Sequence, residues 1–267
     1  GAETGAQVIR QVYPRLGIVP GLILAPGWSQ IPEVGLALAA KAAKINGVYS
    51  AMALLDLDTA KAKKYTDTKS VKEESGYTSP FCYPLWPCDR VGEYILAKSA
   101  VAGAMIQYMA SDNEDVPNQS PSNHLLGVGG QCLEDGTEVY LDQDQANTVN
   151  GYGVTTAINQ NGYRLWGNYT GAYPASSDAK DIWFAVRRMF SWQGNNFIQT
   201  YFDEVDDPMN NVLVQSVVDS ENIRCSAYAP KYWAGASIEY KSDDNPKTAI
   251  LAGTMKFRQH IAPYTPA

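Results

Sequence analysis

The chain has 267 residues, of which 45% are apolar and 18% are charged, a composition typical of one or two globular domains with a sizeable core. Its 21 basic and 28 acidic residues give a net charge of -7, which argues against direct binding of nucleic acid. No apolar run is long enough to cross a bilayer and no leader-like segment opens the chain, so we expect synthesis in the cytosol and no membrane insertion.

The N-terminal part of the chain predicts alternating strands and helices. Apolar runs between chain breakers predict buried strands within 20–27 and 48–58. The Ala- and Leu-rich segment 31–47 between them predicts a helix that begins near Pro32 and ends near Gly47. This strand–helix–strand order is typical of a parallel sheet with helices on its faces.

The middle of the chain continues the same pattern. The proline-interrupted segment 80–86 predicts a short strand at a sheet edge. A helix is predicted over 91–111, followed by a polar loop rich in Asn, Ser and Pro. A second helix is predicted over 144–150, and segment 162–169 predicts a further strand. The predicted apolar side of the 91–111 helix consists of Ile95, Ala102, Ile106 and Met109.

The C-terminal part predicts longer helices and a β-hairpin. The longest helix is expected over 177–202, capped by Ser177 or Asp178, and another over 207–229. Two strands around a "DDNP" turn are expected to form a terminal hairpin over 235–257. Because the pattern changes near Asn161, we expect two domains, 1–160 and 161–267.

The residues give little support for an enzyme. The spacing of the four cysteines fits neither a zinc site nor a redox motif, which favours free buried thiols, and we expect no metal and no cofactor. The main alternative is an α/β hydrolase that acts on an envelope polymer, with His124 as its base, although no GxSxG motif is present. The candidate partners of His124 are Ser120, Ser122, Asp56 and Asp58. A carbohydrate-binding module built on exposed tyrosines is a further alternative.

Five segments, in order, resemble the tail sheath proteins of contractile phages, with P2-like myophages and prophages as the nearest type. They begin with "TGAQVIRQVYPRLGIVPGLILAPGWS" at 4–29 and "SPSNHLLGV" at 120–128. They continue with "TTAINQNGYRLWGNYT" at 155–170, "IWFAVRRMF" at 182–190 and the segment 235–257. Together these segments extend over nearly the whole chain.

The resemblance implies a structural protein without an active site. The implied fold is a subtilisin-like three-layer α/β body with a mostly parallel sheet, followed by an α+β C-terminal sheath domain with a terminal hairpin. The "RLWG" segment would mark the junction of the two parts. The junction residues implied are Arg164, Trp166, Arg187 and Arg188. The expected interface residues are Asp206, Asp207, Gly235, Ser237, Glu239, Lys241, Ile250, Gly253, Lys256 and Arg258.

The resemblance also implies an assembly and its partners. Sheath subunits of this family form homo-hexameric rings that stack helically around a tail tube, bounded by baseplate and tail terminator proteins. Arms of neighbouring subunits are expected to add strands to the hairpin. We therefore expect a virion protein that assembles in the cytoplasm of a bacterial host. Family members carry further N-terminal sequence and a C-terminal arm that this chain does not match, so we expect a trimmed fragment.

Overall fold

The computed structural model describes residues 5–208 and 210–266. The described residues form two compact units. Unit 1 extends to Asn195 and includes Thr265 and Pro266, and unit 2 comprises Asn196–Tyr264. The boundary predicted near Asn161 falls between two paired strands instead, and the assignment of sheath domains to 1–160 and 161–267 stays a prediction.

The helices and strands follow one another in a mixed order. The helices are α1 Val12–Leu16, α2 Pro32–Ala43, α3 Thr68–Ser75, α4 Lys98–Ser111, α5 Gln143–Gly151, α6 Ala179–Ile182, α7 Phe184–Thr200, α8 Asn211–Ala227 and α9 Lys247–Leu251. The strands are β1 Leu22–Leu24, β2 Met52–Asp56, β3 Cys82–Leu85, β4 Cys88–Val91, β5 Tyr94–Leu96, β6 Gly130–Cys132, β7 Thr156–Asn159, β8 Tyr163–Trp166, β9 Trp233–Glu239 and β10 Arg258–Pro263. Short 3-10 helices lie at Gly5–Gln11, Tyr65–Asp67, Phe202–Glu204 and Ser242–Asp244.

The core of unit 1 surrounds a parallel sheet in the order β1-β2-β3. Strand β2 is buried along its whole length, as its continuous apolar sequence predicts. Helix α2 starts at Pro32 as predicted but ends at Ala43, before Gly47. Strand β3 occupies the sheet edge as predicted, and Leu85 makes an isolated bridge to Thr155. The core side chains are Met52, Leu54, Tyr83, Leu85, Ala102, Met105, Ile106, Leu165 and Phe184.

The other sheets within the described residues are antiparallel and small. They join β5-β4-β6, β7-β8 and β10-β9. The fold is therefore mixed α/β with several small sheets, which confirms the α/β class in this coarser form. The central β1-β2-β3 sheet is parallel, and the subtilisin-like three-layer body with a mostly parallel sheet stays a prediction.

Two predicted helices differ from the structure: one starts later than predicted, and the other is interrupted. Residues 91–97 form a strand hairpin, because Gly92 adopts a positive φ of 59° and Asp89 pairs with Leu96, so Ile95 lies on β5. The helix predicted over 177–202 is interrupted at Trp183, whose backbone is extended and bridges Tyr169. Of the two predicted caps, Ser177 and Asp178, it is Asp178 that caps the start of α6.

Unit 2 packs α8 against a two-stranded ribbon, β9 and β10. Trp233 at the start of β9 is fully buried, and its indole N–H donates to the carbonyl of Cys225 on α8 at 3.0 Å. Val217, Tyr232 and Ile238 are buried as well. The predicted pair of strands is present, but the segment between them folds into a 3-10 turn and the short helix α9.

Candidate subunit interface

The two outer edges of the β9–β10 ribbon differ. Asn222 of α8 accepts a hydrogen bond from the backbone N–H of Ile238 at 2.9 Å and donates to the Ile238 carbonyl at 3.1 Å. These bonds satisfy the outward-pointing backbone of β9 at its centre, so a helix side chain occupies that edge. Sequence reasoning missed Asn222, because an asparagine within a helix gives no signal of a distant backbone partner.

The edge of β10 is open among the described residues. Ile238 lies opposite Gln259, and Ala236 lies opposite Ile261. In an antiparallel pair, two directly opposed residues either both point their N–H and carbonyl groups at each other or both point them away from the partner strand. Since Ile238 points its N–H and carbonyl away from β10, Gln259 and Ile261 point theirs away from β9. No third strand pairs with β10 in the part of the chain that the structure describes.

The exposed face of the ribbon carries paired charges. The Glu239 carboxylate contacts the Lys241 ammonium at 2.8 Å and His260 Nε2 at 2.8 Å. Hydrogen bonds from these two side chains lower the pKa of Glu239. Arg258 contacts Asp244 at 2.7 Å. The expected interface charges of the hairpin are therefore mostly neutralised by neighbours on the same face.

The connection between β9 and β10 is held by one buried amide. Asn245 donates to the carbonyls of Lys241 and Lys256 and accepts from the Lys256 N–H, all within 2.9 Å. Ile250 lies on helix α9, so its predicted place in a strand of the hairpin was wrong. Of the other predicted interface residues, Gly235 and Ser237 lie on β9, and Gly253 follows α9.

Unit 2 also contains an apolar groove with an acidic rim. The groove has a volume of about 590 Å³, and its floor includes Phe197, Leu213 and Phe257. The predicted interface residues Asp206 and Asp207 lie on its rim. They precede α8, which begins at Asn211 with Asn210 as its cap, so the helix predicted from residue 207 starts later. Ile250 and Gly253 line the same groove.

The predicted junction residues all lie in unit 1. Trp166 is half-buried, and its indole N–H donates to the side-chain oxygen of Asn147 at 2.9 Å. Arg164 donates to the carbonyls of Asn123 at 2.8 Å and Gln160 at 3.1 Å. These bonds tie β8 to helix α5, to the loop at Asn123 and to the turn between β7 and β8. The role of the segment at a domain junction stays a prediction.

The two adjacent arginines of α7 are held in different ways. Arg187 pairs with Asp181 at 3.2 Å and lies 4.6 Å from the ring centre of Phe81. Arg188 lies over the ring of Phe184 at 5.5 Å. Burial lowers the pKa of Arg188 to about 10, which leaves its guanidinium charged at neutral pH. Both side chains therefore pack within unit 1 as cations on aromatic rings.

The residues of the hydrolase alternative are engaged elsewhere. Asp56 accepts hydrogen bonds from the side chain of Ser29 at 2.8 Å and from the backbone N–H of Ser99 at 2.8 Å. Ser120 donates to Asn168, and Ser122 accepts from the N–H of Gly167. No hydrogen bond joins His124 to a serine or carboxylate among the described residues. The arrangement gives a hydrolase no support.

No group of three His, Cys, Asp or Glu side chains converges as metal ligands within the described residues. The described helices include none that is both long and apolar enough to cross a membrane. The cysteines are free thiols, of which Cys82, Cys132 and Cys225 are buried as expected, whereas Cys88 is only half-buried.

Curated relatives of the chain share one description. The tail sheath protein of Escherichia phage P2 is 24% identical over 277 residues, which cover 100% of this chain and 65% of that protein. The major tail sheath protein of Serratia phage KSP20 is 28% identical over 173 residues, or 62% of this chain and 42% of the relative. A prophage major tail sheath protein of Pseudomonas aeruginosa (strain UCBPP-PA14) is 30% identical over 197 residues, covering 71% of this chain and 46% of the relative. The chain is a relative of the contractile tail sheath proteins.

Solved sheath structures share the fold of the chain. The sheath complex of an extracellular contractile injection system in its contracted state superposes with a TM-score of 0.76 at 17% identity, covering 98% of this chain and 72% of that one. The contracted helical sheath of the anti-feeding prophage gives a TM-score of 0.73 at 18% identity, covering 98% and 71%. No protein-family model matches the chain. The chain spans about half the length of the curated tail sheath relatives.

Proposed function

We propose that the chain belongs to a structural subunit of a contractile tail sheath. Subunits polymerise as hexameric rings stacked helically around a tail tube, and contraction drives the tube through the envelope of a target cell. The work comes from repacking of subunits in a metastable lattice and needs no nucleotide or cofactor. The protein acts in the virion and assembles in the cytoplasm of the bacterial host. The relatives and the shared sheath fold support this proposal.

The open edge of β10 carries the proposal for how subunits join. A strand edge with unused N–H and carbonyl groups is a template for a strand from another chain. Since Asn222 occupies the edge of β9, only β10 offers such a template in the ribbon as described. A contact in which one surface binds a different surface of the next copy produces rings or helical filaments, the geometry that a sheath requires.

Main-chain bonding suits a lattice that changes shape. Strand addition fixes register through backbone groups, so the joined subunits rotate as bodies without breaking side-chain contacts. The charges beside β10 are already paired, with Glu239 bound to Lys241 and His260, and Arg258 to Asp244. The ribbon therefore presents a face with little unpaired charge, and the incoming arm supplies specificity through its own sequence.

The remaining partners follow from the same role. We assign the tail tube to the region of Asp206 and Asp207 and the approach to α8, where acidic groups rim the groove of unit 2. Baseplate and tail terminator proteins bound the polymer at its ends. The parallel β1-β2-β3 sheet and its helices correspond, in this proposal, to the subtilisin-like three-layer body of sheath proteins.

A backbone substitution in β10 tests the strand-addition site. Ile261→Pro removes an N–H that the ribbon does not use, so the ribbon should remain folded while polymerisation of the full-length gene product is lost. Ile261→Val keeps the N–H and should polymerise normally. Electron microscopy and sedimentation provide the readout, and circular dichroism checks folding. Normal polymers from a folded Ile261→Pro protein would place the joint elsewhere.

A further inference from the structure

A polar cleft in unit 1 is separate from the ribbon and the groove of unit 2. The cleft has a volume of about 730 Å³. Loop residues 120–124, the end of α5 and the residues after β8 form its walls. A cavity of this size accommodates a small organic ligand or a short oligomer. We call it the amide cleft, and its defining residues are Asn123, His124, Asn147, Asn168, Tyr169, Tyr173 and Trp183.

One wall of the amide cleft is a stack of three aromatic rings. Tyr169 lies between Tyr173, at 3.8 Å between ring centres, and Trp183, at 4.7 Å. Backbone hydrogen bonds on both sides of the Tyr169–Trp183 bridge, from Thr170 to Ile182 and from Phe184 to Asn168, are 2.8 Å long. All three rings are half-buried and line the cleft, so this wall is preformed and aromatic.

The cleft lining also supplies hydrogen-bonding groups without charge. The side-chain oxygens of Asn147 and Asn168 accept from Trp166 and Ser120, which leaves each amide nitrogen available as a donor. The side-chain amide of Asn123 and the His124 ring make no hydrogen bond within the described residues. Burial and the nearby Arg164 lower the pKa of His124, so its ring is neutral at neutral pH. None of the described residues that line the cleft is Asp, Glu, Lys or Arg.

We propose that the amide cleft binds a neutral saccharide. A sugar ring has an apolar face of C–H groups, which stacks on an aromatic ring, and an edge of hydroxyls, which bonds to amides. A purely apolar ligand would leave the amide donors unpaired, and a phosphorylated or anionic ligand would find no cation in the lining. The combination of flat aromatic and neutral amide walls matches a saccharide best. This inference is independent of the proposed function.

NMR with the folded chain tests the proposal, with saturation transfer to detect bound ligand and protein spectra to follow the indole N–H resonances. The probes are cellotriose, maltotriose and the trimer of N-acetylglucosamine, with glucose 6-phosphate as a charged comparison and trialanine as a peptide comparison. At least one neutral trisaccharide should bind and shift the indole N–H resonances of Trp166 and Trp183. Saturation transfer to none of the three sugars, or preferential binding of trialanine or glucose 6-phosphate, would overturn the proposal.

Matched variants locate the binding. Tyr173→Ala removes the outer ring of the stack, and Asn123→Ala removes an amide, so each should weaken saccharide binding about tenfold or more. Tyr108→Ala changes an exposed tyrosine of α4 that lies outside the cleft lining and should bind as the unchanged protein does. If Tyr173→Ala does not fold, the indole shifts in the unchanged protein decide the location. Equal binding by all folded variants, or shifts confined to other tryptophans, would overturn the assignment.

Discussion

At the scale of single residues, unit 1 contains a fully buried ion pair. Lys98 at the start of α4 contacts Asp89 of β4, and neither side chain is exposed to solvent. The second carboxylate oxygen of Asp89 has no hydrogen-bond partner among the described residues. Burial raises the pKa of Asp89, and the charge of Lys98 opposes that rise. Each charge is therefore tolerated mainly because the other is present.

Removal of one partner should be more harmful than removal of both. We expect Lys98→Met to lower the free energy of unfolding by about 3–5 kcal/mol, because it leaves a buried carboxylate uncompensated. The double variant Lys98→Met, Asp89→Leu should recover most of that loss. Urea unfolding of the variants measures both effects. A single variant as stable as the original protein, or a double variant no better than the single one, would contradict this reasoning.

Asp56 provides a pH-dependent prediction. Burial raises its pKa above the ordinary value of 3.8, against the lowering effect of hydrogen bonds from Ser99 and Ser29. The folded state therefore binds the Asp56 proton more tightly than the unfolded state does, and this contribution to stability is lost as pH rises through the folded pKa. Asp56→Asn does not titrate. The stability of the original protein relative to Asp56→Asn should therefore fall as pH rises from about 3.5 towards 7.

Urea unfolding of both proteins across that pH range measures the difference. If the unfolding free energy of the original protein relative to Asp56→Asn stays constant or grows with pH, burial does not disfavour the charged form of Asp56.

At the scale of elements, Asn222 links α8 to β9. Asn222→Ala should leave the N–H and carbonyl of Ile238 without partners, at a cost of about 1–3 kcal/mol, and should speed hydrogen exchange at the Ile238 amide. Asn222→Asp keeps an acceptor for that N–H but loses the donor, so its effect should be intermediate. Hydrogen-exchange mass spectrometry or NMR provides the measurement. Unchanged exchange at Ile238 in Asn222→Ala would show that the amide clamp does not hold the strand.

Sequence patterns predicted the elements whose causes are local. Pro32 marks the start of α2, the apolar run 52–56 gives the buried strand β2, and Asp178 caps α6. Patterns failed where a distant pairing decided the structure. The segment 91–97 has helical composition, but Asp89 and Leu96 pair across the Gly92 turn. Pairing with Tyr169 likewise extends Trp183 and interrupts the predicted long helix.

The part of the candidate interface that depends on local signals was predictable from the sequence. Glu239 and Arg258 were expected on a terminal ribbon because alternation and turn residues are local signals, and they lie on β9 and β10. Which edge is open depends on Asn222, which lies 16 residues before its backbone partner and carries no local signature. Ile250 was misplaced because the segment between the strands folds around Asn245, a buried amide whose bonds to Lys241 and Lys256 replace the expected tight turn.

At the scale of the whole molecule, the proposed function is assembly into a polymer. The relatives and the shared fold support a sheath subunit, and the open edge of β10 among the described residues is the proposed joint between copies. In the proposed role the subunit has no substrate to convert, and its function lies in the polymer that it forms. The folding stability of the two compact units does not test whether the protein polymerises.

Electron microscopy of the purified full-length gene product, over a range of salt and protein concentrations, tests the central claim most directly. We expect hollow tubes with stacked rings of six-fold symmetry, in which a strand from a neighbouring subunit lies against Gln259 and Ile261 of β10. A folded protein that remains monomeric under all conditions, also when mixed with its tail tube, would contradict the account. Tubes in which the edge of β10 faces solvent would contradict the proposed joint.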